Sequence, residues 1–354
     1  MKLTTKTADI TQALSYCASA TNRRAIIPIL ESCLVEAQDG VLSFTTSDLD
    51  SQATMKIEAN VEESGRCCVS LSRLRTFIQS LSSDSVEVTL GDDLLIKGGS
   101  SKITFKVLPA TGFPRVQHGE MVEFWSGESK AIAESIGWVS TARATENDQV
   151  LTKVMYLDGL TGLLYMTDRR RIHIAQTPIR HELVLPVEAS APLAIALTMS
   201  GECSLSSDGK FLLVTGGRHS LLQRQVQFEY PISSIRTMLD PDPAAPGAAF
   251  DIEALSEAAR TISGLTKANP VTITLAGHDD GVRVYHEASE LQVERVIGGS
   301  IGQEIYLDAH YVIDALKGSA GTTEVSVRER AILCDLNEGR RALVFRQMLK
   351  PNVA

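Results

Sequence analysis

The sequence predicts an α+β fold in which one unit is repeated three times in tandem. In each copy a helical pattern comes first, and a strand pair, a second short helix and three more strands follow. An aromatic residue and a proline close the first two copies, at Phe113-Pro114 and Tyr230-Pro231. A stiff connector with three prolines, residues 240–247, lies near the start of the third copy. The copies are assigned to residues 1–118, 119–231 and 232–354.

Composition places the chain among globular proteins. It has 354 residues, with 34 Lys and Arg against 43 Asp and Glu. The net charge of −9 argues against a protein that coats nucleic acid with its whole surface, but it allows a local basic face. Residues 1–6 lack the apolar core of a secretion signal, and no apolar run approaches the roughly 20 residues of a membrane helix. Six scattered cysteines without a C-x-x-C pair argue against disulfides and zinc. We expect a cytoplasmic protein without metal, cofactor or membrane partner.

The first copy opens with a helix over residues 8–20, because Ile10, Leu14 and Cys17 recur at helical spacing. Asp39-Gly40 is a strong hairpin signal between two apolar strands. The remaining elements of this copy follow from alternation and from Gly-rich turns. The predicted strands are 29–37, 41–46, 51–61, 86–90, 94–97 and 102–108, and the second helix is 71–81.

The other two copies repeat this order. Pro192 is unfavourable inside a helix, so the second helix of the middle copy is expected to be short or broken there. The predicted helices are 129–141, 187–197, 252–265 and 308–317. The predicted strands are 150–157, 163–167, 172–179, 202–206, 211–215, 220–228, 271–276, 282–286, 291–296, 324–327, 331–336 and 341–346.

Catalytic motifs are absent from the sequence. It contains no Gly-x-Gly-x-x-Gly, P-loop, Gly-x-Ser-x-Gly or His-Glu-x-x-His pattern, so no catalytic residue is assigned. The run His278 to Gly281 could hold a metal, but a hairpin turn between strands is favoured. His173 and His310 are expected to be structural, and at least one of Cys67 and Cys68 should lie in the core, since neighbouring strand residues face opposite sides.

Basic residues form two patterns whose meaning stays open on composition alone. Three arginines, Arg169, Arg170 and Arg171, follow a strand, either as a solvated turn or as a surface that receives anionic groups. Further cations lie on or beside the predicted helices and would converge if those helices faced one space. They are Arg73, Arg75, Lys130, Arg143, Arg260 and Lys317.

Several segments resemble the bacterial sliding clamp, the beta subunit of DNA polymerase III. Residues 20–30 and 39–49 resemble its first domain, and Thr167-Asp168 with Arg171 resembles its Thr-Asp-Gly-His-Arg-Leu segment. Tyr230-Pro231 resembles its Phe-Pro junction, and residues 311–316 resemble the second helix of its third domain. Four moderately specific segments in the right order, on a threefold repeat, make the resemblance strong.

The resemblance implies a fold and a function. It implies three processivity-fold domains per chain and a head-to-tail homodimer that closes a ring, with helices inside and sheets outside. Such a ring encircles double-stranded DNA without reading its sequence, since a basic lumen attracts phosphates and closure replaces tight binding. The implied partners are the DNA polymerase III alpha subunit, the clamp loader and other proteins with a clamp-binding motif. No enzymatic activity is implied.

The resemblance also implies three sets of site residues. The DNA contacts are Arg24, Arg73, Asn147 and Gln149. The pocket for partner peptides is formed by Leu151, Thr167, Arg169, Arg170, Arg171, Ile172, Pro231, Asp308, Tyr311, Val344 and Met348. The dimer interface pairs Ile103 and Phe105 of the first copy with Ile262 and Leu265 of the third.

Departures from the family pattern concentrate at the pocket. Arg169 and Arg170 replace the family's Gly-His, and Arg346 to Lys350 replaces its Met-Pro-Met-Arg-Leu. Our hypothesis is that the pocket prefers different or more acidic peptides. Two alternatives remain: a clamp-fold paralogue that acts as a protein-binding scaffold, and a hydrolase on a repeated scaffold, which lacks any nucleophile and base pattern.

Overall fold

The computed structural model describes residues 1–20, 27–144, 149–199, 201–240, 245, 247–266, 268, 270–288 and 291–347. The chain forms two compact units. Unit 1 comprises Met1–Glu134 and Glu188–Val226, and unit 2 comprises Ser135–Val187 and Gln227–Ala354. No helix in the described ranges is long and apolar enough to cross a membrane.

A module of one strand, one helix and three strands recurs six times in the described part of the chain. The first module contains β1 (Lys2–Lys6), α1 (Thr7–Cys17), β2 (Ser32–Gln38), β3 (Val41–Ser47) and β4 (Ser51–Glu58), and β5 (Asn60–Glu63) follows it. The second contains β6 (Gly65–Ser70), α2 (Leu71–Gln79), β7 (Ser85–Leu90), β8 (Leu94–Gly98) and β9 (Ser101–Phe105). The third contains β10 (Val122–Glu128), α3 (Lys130–Val139), β11 (Val154–Leu157), β12 (Leu163–Thr167) and β13 (Arg171–Gln176).

The later modules keep the same order. The fourth contains β14 (Leu183–Pro186), α4 (Ser190–Met199), β15 (Glu202–Ser207), β16 (Phe211–Gly216) and β17 (His219–Arg224), and α5 (Ile232–Leu239) follows it. The fifth contains β18 (Gly247–Asp251), α6 (Ile252–Leu265), β19 (Thr272–His278), β20 (Gly281–Ala288) and β21 (Leu291–Ile297), and β22 (Gly299–Ser300) follows it. The sixth contains β23 (Ile305–Asp308), α7 (Ala309–Leu316), β24 (Thr322–Val327), β25 (Ala331–Asp335) and β26 (Arg340–Phe345).

Antiparallel sheets join neighbouring copies within each unit. Unit 1 holds an eight-stranded sheet, β10-β15-β16-β17-β4-β3-β2-β6, and a five-stranded sheet, β5-β1-β7-β8-β9. Unit 2 holds a nine-stranded sheet, β14-β11-β12-β13-β26-β25-β24-β18-β22, and a four-stranded sheet, β21-β20-β19-β23. Because β17 pairs with β4 and β13 pairs with β26, the compact units divide the middle copy instead of separating the copies. The boundaries at residues 118 and 231 stay a sequence-based prediction.

Each helix buries one apolar stripe against its sheets. In α6 the stripe is formed by Leu255, Ala258, Ala259 and Ile262, which recur at helical spacing and are all buried. Asp251 caps this helix, since its carboxylate accepts the Ala254 N–H at 2.7 Å. The predicted range of residues 252–265 is therefore confirmed.

The main errors of prediction concern the first strand of each module. Strands such as β1 and β18 are five residues long and run directly into a helix, so they are too short to show a clear alternation of apolar and polar residues. Residues 29–31 and 150–153, predicted as strand, lie in 3₁₀ turns. Pro192 lies in the first turn of α4, where no backbone N–H is needed, so the helix is not broken. The hairpins at Asp39-Gly40 and at residues 278–281 are confirmed.

One turn type occurs in three hairpins of the described chain. In residues 47–51 the side chain of the first residue accepts the N–H of the third, and the following aspartate accepts the next two N–H groups. Residues 167–171 and 207–211 repeat this pattern. The third residue has a positive φ each time: 80° at Leu49, 73° at Arg169 and 83° at Gly209. Only the last of these avoids backbone strain, because a Cβ atom disfavours this conformation.

These turns allow the cost of the left-handed conformation to be measured inside unit 1. Leu49 is 43% exposed, so Leu49→Gly removes strain with little loss of packing. We expect it to raise the free energy of unfolding by about 0.5–1 kcal/mol. Gly209→Ala adds the same strain in open space and should lower that free energy by a similar amount. Urea unfolding of both variants checks the pair, and a destabilised Leu49→Gly variant contradicts it.

Candidate functional site

A buried arginine lies at the centre of the site predicted from the arginine-rich turn. Arg171, the first residue of β13, is 6% exposed. Its Nη1 lies 2.6 Å from Oδ2 of Asp314, its Nη2 donates to the Thr141 carbonyl at 2.6 Å, and its Nε lies 3.2 Å from Oδ2 of Asp168. Its guanidinium also stacks over the Tyr311 ring, 4.4 Å from the centroid. The Arg171 side chain therefore links Thr141 and Asp168 to Tyr311 and Asp314 of α7.

The local backbone determines where Arg171 lies. The Asp168 carboxylate accepts the N–H groups of Arg170 and Arg171 at 2.8 and 2.9 Å, and Thr167 donates its hydroxyl to the Arg171 carbonyl at 2.7 Å. On the other side, β13 pairs with β26, so that Arg171 stands opposite Val344. Burial raises the pKa of Asp168, although these hydrogen bonds and Arg171 oppose the effect.

A stacked aromatic pair, Trp138 and His173, lies next to Thr141, the residue whose carbonyl Arg171 binds. The rings of Trp138 and His173 stack with centroids 4.5 Å apart, and Thr141 Oγ1 lies 3.0 Å from His173 Nδ1. Burial, together with the charge of Arg171, lowers the pKa of His173 to about 3. His173 is therefore a neutral structural residue, as predicted. His310 is exposed on α7, and its Nε2 lies 3.0 Å from the Ser263 hydroxyl.

The structure brings part of the predicted pocket together. Tyr311, which packs on Arg171, is half-buried, and its hydroxyl interacts with Arg170. Asp308 caps α7 by accepting the His310 N–H at 2.9 Å. The predicted pocket residues that are buried are Thr167, Arg171, Ile172, Asp308 and Val344. Leu151 is half-buried, whereas Arg169, Arg170 and Pro231 are exposed. Met348 lies outside the described residues.

Helix α5 and its ion pair escaped prediction from the sequence. Arg236 of α5 hydrogen-bonds the carboxylate of Asp158, which is buried. Burial raises the pKa of Asp158, but hydrogen bonds from Thr161 and Arg236 outweigh it and the net shift is downward. Beside this pair Tyr156 and Tyr230 stack at 4.3 Å. A proline followed by Ile232, Ile235 and Leu239 at helical spacing was the available signal.

Residues predicted to contact DNA are only partly described. Arg73 is exposed on α2 and Gln149 is exposed before β11. Arg24 and Asn147 lie outside the described residues. The exposed charged residues on the six module helices are few and of both signs: Arg73, Lys130, Glu134, Glu253, Glu257 and Arg260.

The residues predicted for the dimer interface differ in exposure. Ile103 is half-buried on β9, an edge strand of its sheet, and Leu265 at the end of α6 is 58% exposed. Phe105 and Ile262 are buried inside their own units, and Phe105 packs edge-on against Phe77 at 6.3 Å. Ile103 and Phe105 lie on the same face of β9 and, with Phe77, line one open groove, so the interface residues stay a prediction.

Comparisons with known proteins agree along the chain. Residues 1–117 match the family model of the DNA polymerase III beta subunit, N-terminal domain. The beta sliding clamp of Micrococcus luteus is 28% identical over 282 residues, which cover 76% of this chain and 89% of that protein. The beta sliding clamp of Pseudomonas aeruginosa is 27% identical over 65% of this chain and 66% of that protein. The crystal structure of the Caulobacter crescentus beta sliding clamp superposes with a TM-score of 0.89 at 20% identity, over 99% of both chains.

Six modules paired into three tandem copies define a protein with the three-domain clamp fold. The N-terminal third of the chain matches the DNA polymerase III beta subunit family, and over three quarters of its length the chain is similar to a bacterial beta sliding clamp. Across the described ranges, no group of three or more His, Cys, Asp or Glu side chains is arranged to hold a metal ion.

Removing the buried cation tests its role in unit 2. Arg171→Ala leaves the carboxylates of Asp168 and Asp314 without their partner, and we expect it to lower the free energy of unfolding by about 3 kcal/mol. Its exposed neighbour provides the control, since Arg170→Ala should cost less than about 0.5 kcal/mol. Trp138 fluorescence in a Trp125→Phe background follows unit 2 alone. Equal losses in both variants contradict a central role for Arg171.

Acid sensitivity of unit 2 should originate largely from His173. Its pKa is about 3 in the folded chain against 6.5 for the free side chain, so the folded state binds fewer protons between these values. Stability is then complete above pH 6.5 and falls as the pH is lowered, by up to about 1.4 kcal/mol per pH unit. His173→Phe should flatten the profile between pH 6 and 4.5, and His118→Gln, at an exposed site, should not. An unchanged slope in His173→Phe contradicts the assignment.

Proposed function

We propose that this chain is a sliding clamp, which encircles duplex DNA and tethers the replicative polymerase to it. The observation that carries the proposal is the likeness to beta sliding clamps, which extends over nearly the whole chain in fold and over three quarters of it in sequence. In this reading two chains pair head to tail and close a ring. The protein acts in the cytoplasm and has no enzymatic activity of its own.

Closure explains how such a protein can work with few cations. Phosphate contacts give sequence-independent binding whose strength rises with the number of cations and falls with salt. The exposed helix faces carry Arg73, Lys130 and Arg260, but also Glu134, Glu253 and Glu257. Electrostatic attraction alone is therefore weak, whereas a closed ring stays on DNA for topological reasons. Weak contacts also let the ring slide.

Two edge strands and one exposed leucine are the surfaces available for ring closure. In their sheets β9 and β21 each pair on one side only, which leaves backbone hydrogen-bonding groups at the other edge. Leu265, at the end of α6, is 58% exposed. Pairing the first copy of one chain with the third copy of another would cover these surfaces, with Ile103 on the opposing side.

The site around Arg171 is proposed to receive partner peptides, including those of the DNA polymerase III alpha subunit and the clamp loader. Arg171 holds Tyr311 and the turn at residues 167–171 in one rigid arrangement through four separate contacts. A rigid site limits the entropy that is lost on binding. Tyr311 offers a half-buried ring and a hydroxyl to a docking peptide.

A scaffold that binds proteins but no longer slides on DNA is the second candidate. It is favoured by the exposed Arg169 and Arg170 at the proposed pocket and by the mixed charges of the helix faces. The two candidates share the fold and the peptide site. They differ only in whether two chains form a ring that is held on DNA.

Threading onto DNA separates these candidates without a clamp loader. One end of a linear duplex is fixed to a bead, the protein is allowed to thread over the free end, and streptavidin then blocks that biotinylated end. A sliding clamp should remain bound in 0.5 M salt and should be released when a restriction enzyme cuts the duplex. Loss of the protein at the salt step, with intact peptide binding, would support the scaffold.

The interface is tested in the same assay. Leu265→Asp places a charge on the proposed interface and should abolish both retention and the dimer seen by sedimentation. Leu160→Asp is the matched control, because Leu160 is 81% exposed in a turn outside the proposed interface. Retention of the Leu265→Asp variant at the wild-type level would show that Leu265 does not close the ring.

A further inference from the structure

The start of β13, the end of β26 and the start of β25 lie side by side at one end of the nine-stranded sheet, and arginines surround them. The carbonyl of Arg170, just before β13, accepts the Phe345 N–H of β26 at 2.9 Å. The carbonyl of Arg330, just before β25, accepts the Arg346 N–H at 2.8 Å. Because β26 lies between β13 and β25, the turns that carry Arg170 and Arg330 lie about 10 Å apart, two strand spacings.

Two arginines at this end of the sheet are engaged in fixing the turns. Arg328 donates to the carbonyls of Met238 and Asp240 at the end of α5. Arg346 donates to the carbonyls of Arg328 and Glu329, each at 3.3 Å, and to that of Glu304 at 3.0 Å. Carbonyls satisfy these hydrogen bonds without neutralising the charge. Both guanidiniums therefore keep this end of the sheet positive while they hold its backbone in place.

Three further arginines have no carboxylate within ion-pair distance in the described structure. They are Arg169, Arg170 and Arg330, all exposed. The acidic side chains nearby are Asp168, whose carboxylate pairs with Arg171, Glu329 in the turn of Arg330, and Glu304, whose carboxylate already accepts the hydroxyls of Tyr285 and Tyr306. Arg169 also has a φ of 73°, in a turn whose equivalent in unit 1 carries Gly209, so an arginine occupies a position where glycine would avoid backbone strain.

We propose that Arg169, Arg170 and Arg330 form a receptor for carboxylates of an acidic partner peptide that docks beside Arg171 and Tyr311. This inference rests on the proposed function, because it names the class of partner for the same peptide site. A guanidinium fork matches a carboxylate in two parallel hydrogen bonds. A peptide in the polyproline II conformation completes one turn in three residues and advances about 9 Å, so acidic residues at positions i and i+3 share a face and fit the distance between the two turns.

The sequence alone pointed to Arg169, Arg170 and Arg346. The structure changes that set, because Arg346 is held by backbone carbonyls and Arg330 joins from a turn far away in the chain. The distance between the turns also predicts how far apart the acidic residues of the partner should be. This spacing can be tested with peptides of equal charge.

Peptide titration with the full-length protein tests the receptor. Two fluorescent peptides carry the same leucine and phenylalanine, and one has glutamates at i and i+3 where the other has glutamines. We expect the acidic peptide to bind about tenfold more tightly in low salt and to lose this advantage in 0.5 M salt. A third peptide with adjacent glutamates should show a smaller advantage.

Charge removal should abolish the preference. In the Arg169→Gly, Arg170→Gln, Arg330→Gln triple variant both peptides should bind equally, with the affinity for the glutamine peptide unchanged. Arg224→Gln is the matched control, since Arg224 is an exposed arginine of unit 1 that pairs with Asp50 at 2.8 Å. Trp138 fluorescence verifies folding of the triple variant, and Arg330→Gln alone should already reduce the preference if the triple variant does not fold.

The outcomes separate the inference from the proposed function. Equal binding of both peptides to the wild-type protein overturns the acidic receptor and leaves the clamp intact. Failure of both peptides to bind, while the protein is still retained on threaded DNA, overturns the receptor and the peptide site but not the ring. A short DNA duplex is also added as a competitor of the fluorescent acidic peptide. If it displaces that peptide as strongly as the unlabelled acidic peptide does, the arginines bind DNA and the proposal is overturned.

Discussion

The antiparallel ladder between β13 and β26 is the interaction on which the candidate site depends. It runs from Arg171 opposite Val344 to Ala175 opposite Arg340 and joins the middle copy to the third. Backbone N–H and carbonyl groups must find partners when they are buried, so this ladder holds its register firmly. The register brings the turn at residues 167–171 next to α7, and only then can Arg171 reach Tyr311 and Asp314. In unit 1 the ladder between β17 and β4 joins two copies in the same way.

Corresponding positions in different modules have acquired different chemistry. The turn that ends in Arg171 has an equivalent that ends in Ser51, with the same pattern of side-chain hydrogen bonds. Ser51 donates to Gln223 at 2.6 Å, a neutral hydrogen bond across the ladder in unit 1. Arg171 instead holds two carboxylates and an aromatic ring in unit 2. The repeated modules therefore provide turns with the same backbone structure, and the identity of a single residue in the turn decides whether a site forms there.

Burial separates the roles of neighbouring arginines. Arg171 is buried and forms ion pairs with Asp168 and Asp314, so its charge contributes to rigidity and is not offered to a ligand. Arg169 and Arg170 are exposed, and charges of this kind contribute little to stability but can select a partner. A run of three arginines thus contains one structural residue and two candidates for recognition, a distinction that depends on the path of the backbone through the turn.

The sequence by itself determined the threefold repeat, the long helices and the hairpins, because helical spacing and Asp-Gly turns act over a few residues. It also predicted the arginine-rich turn as a candidate site. It missed the strand before each helix, helix α5 and the partners of Arg171. Only the tertiary structure decided which arginines are buried and that Arg330 lies near Arg170. These outcomes depend on strand pairing between residues far apart in the chain, which local patterns do not encode.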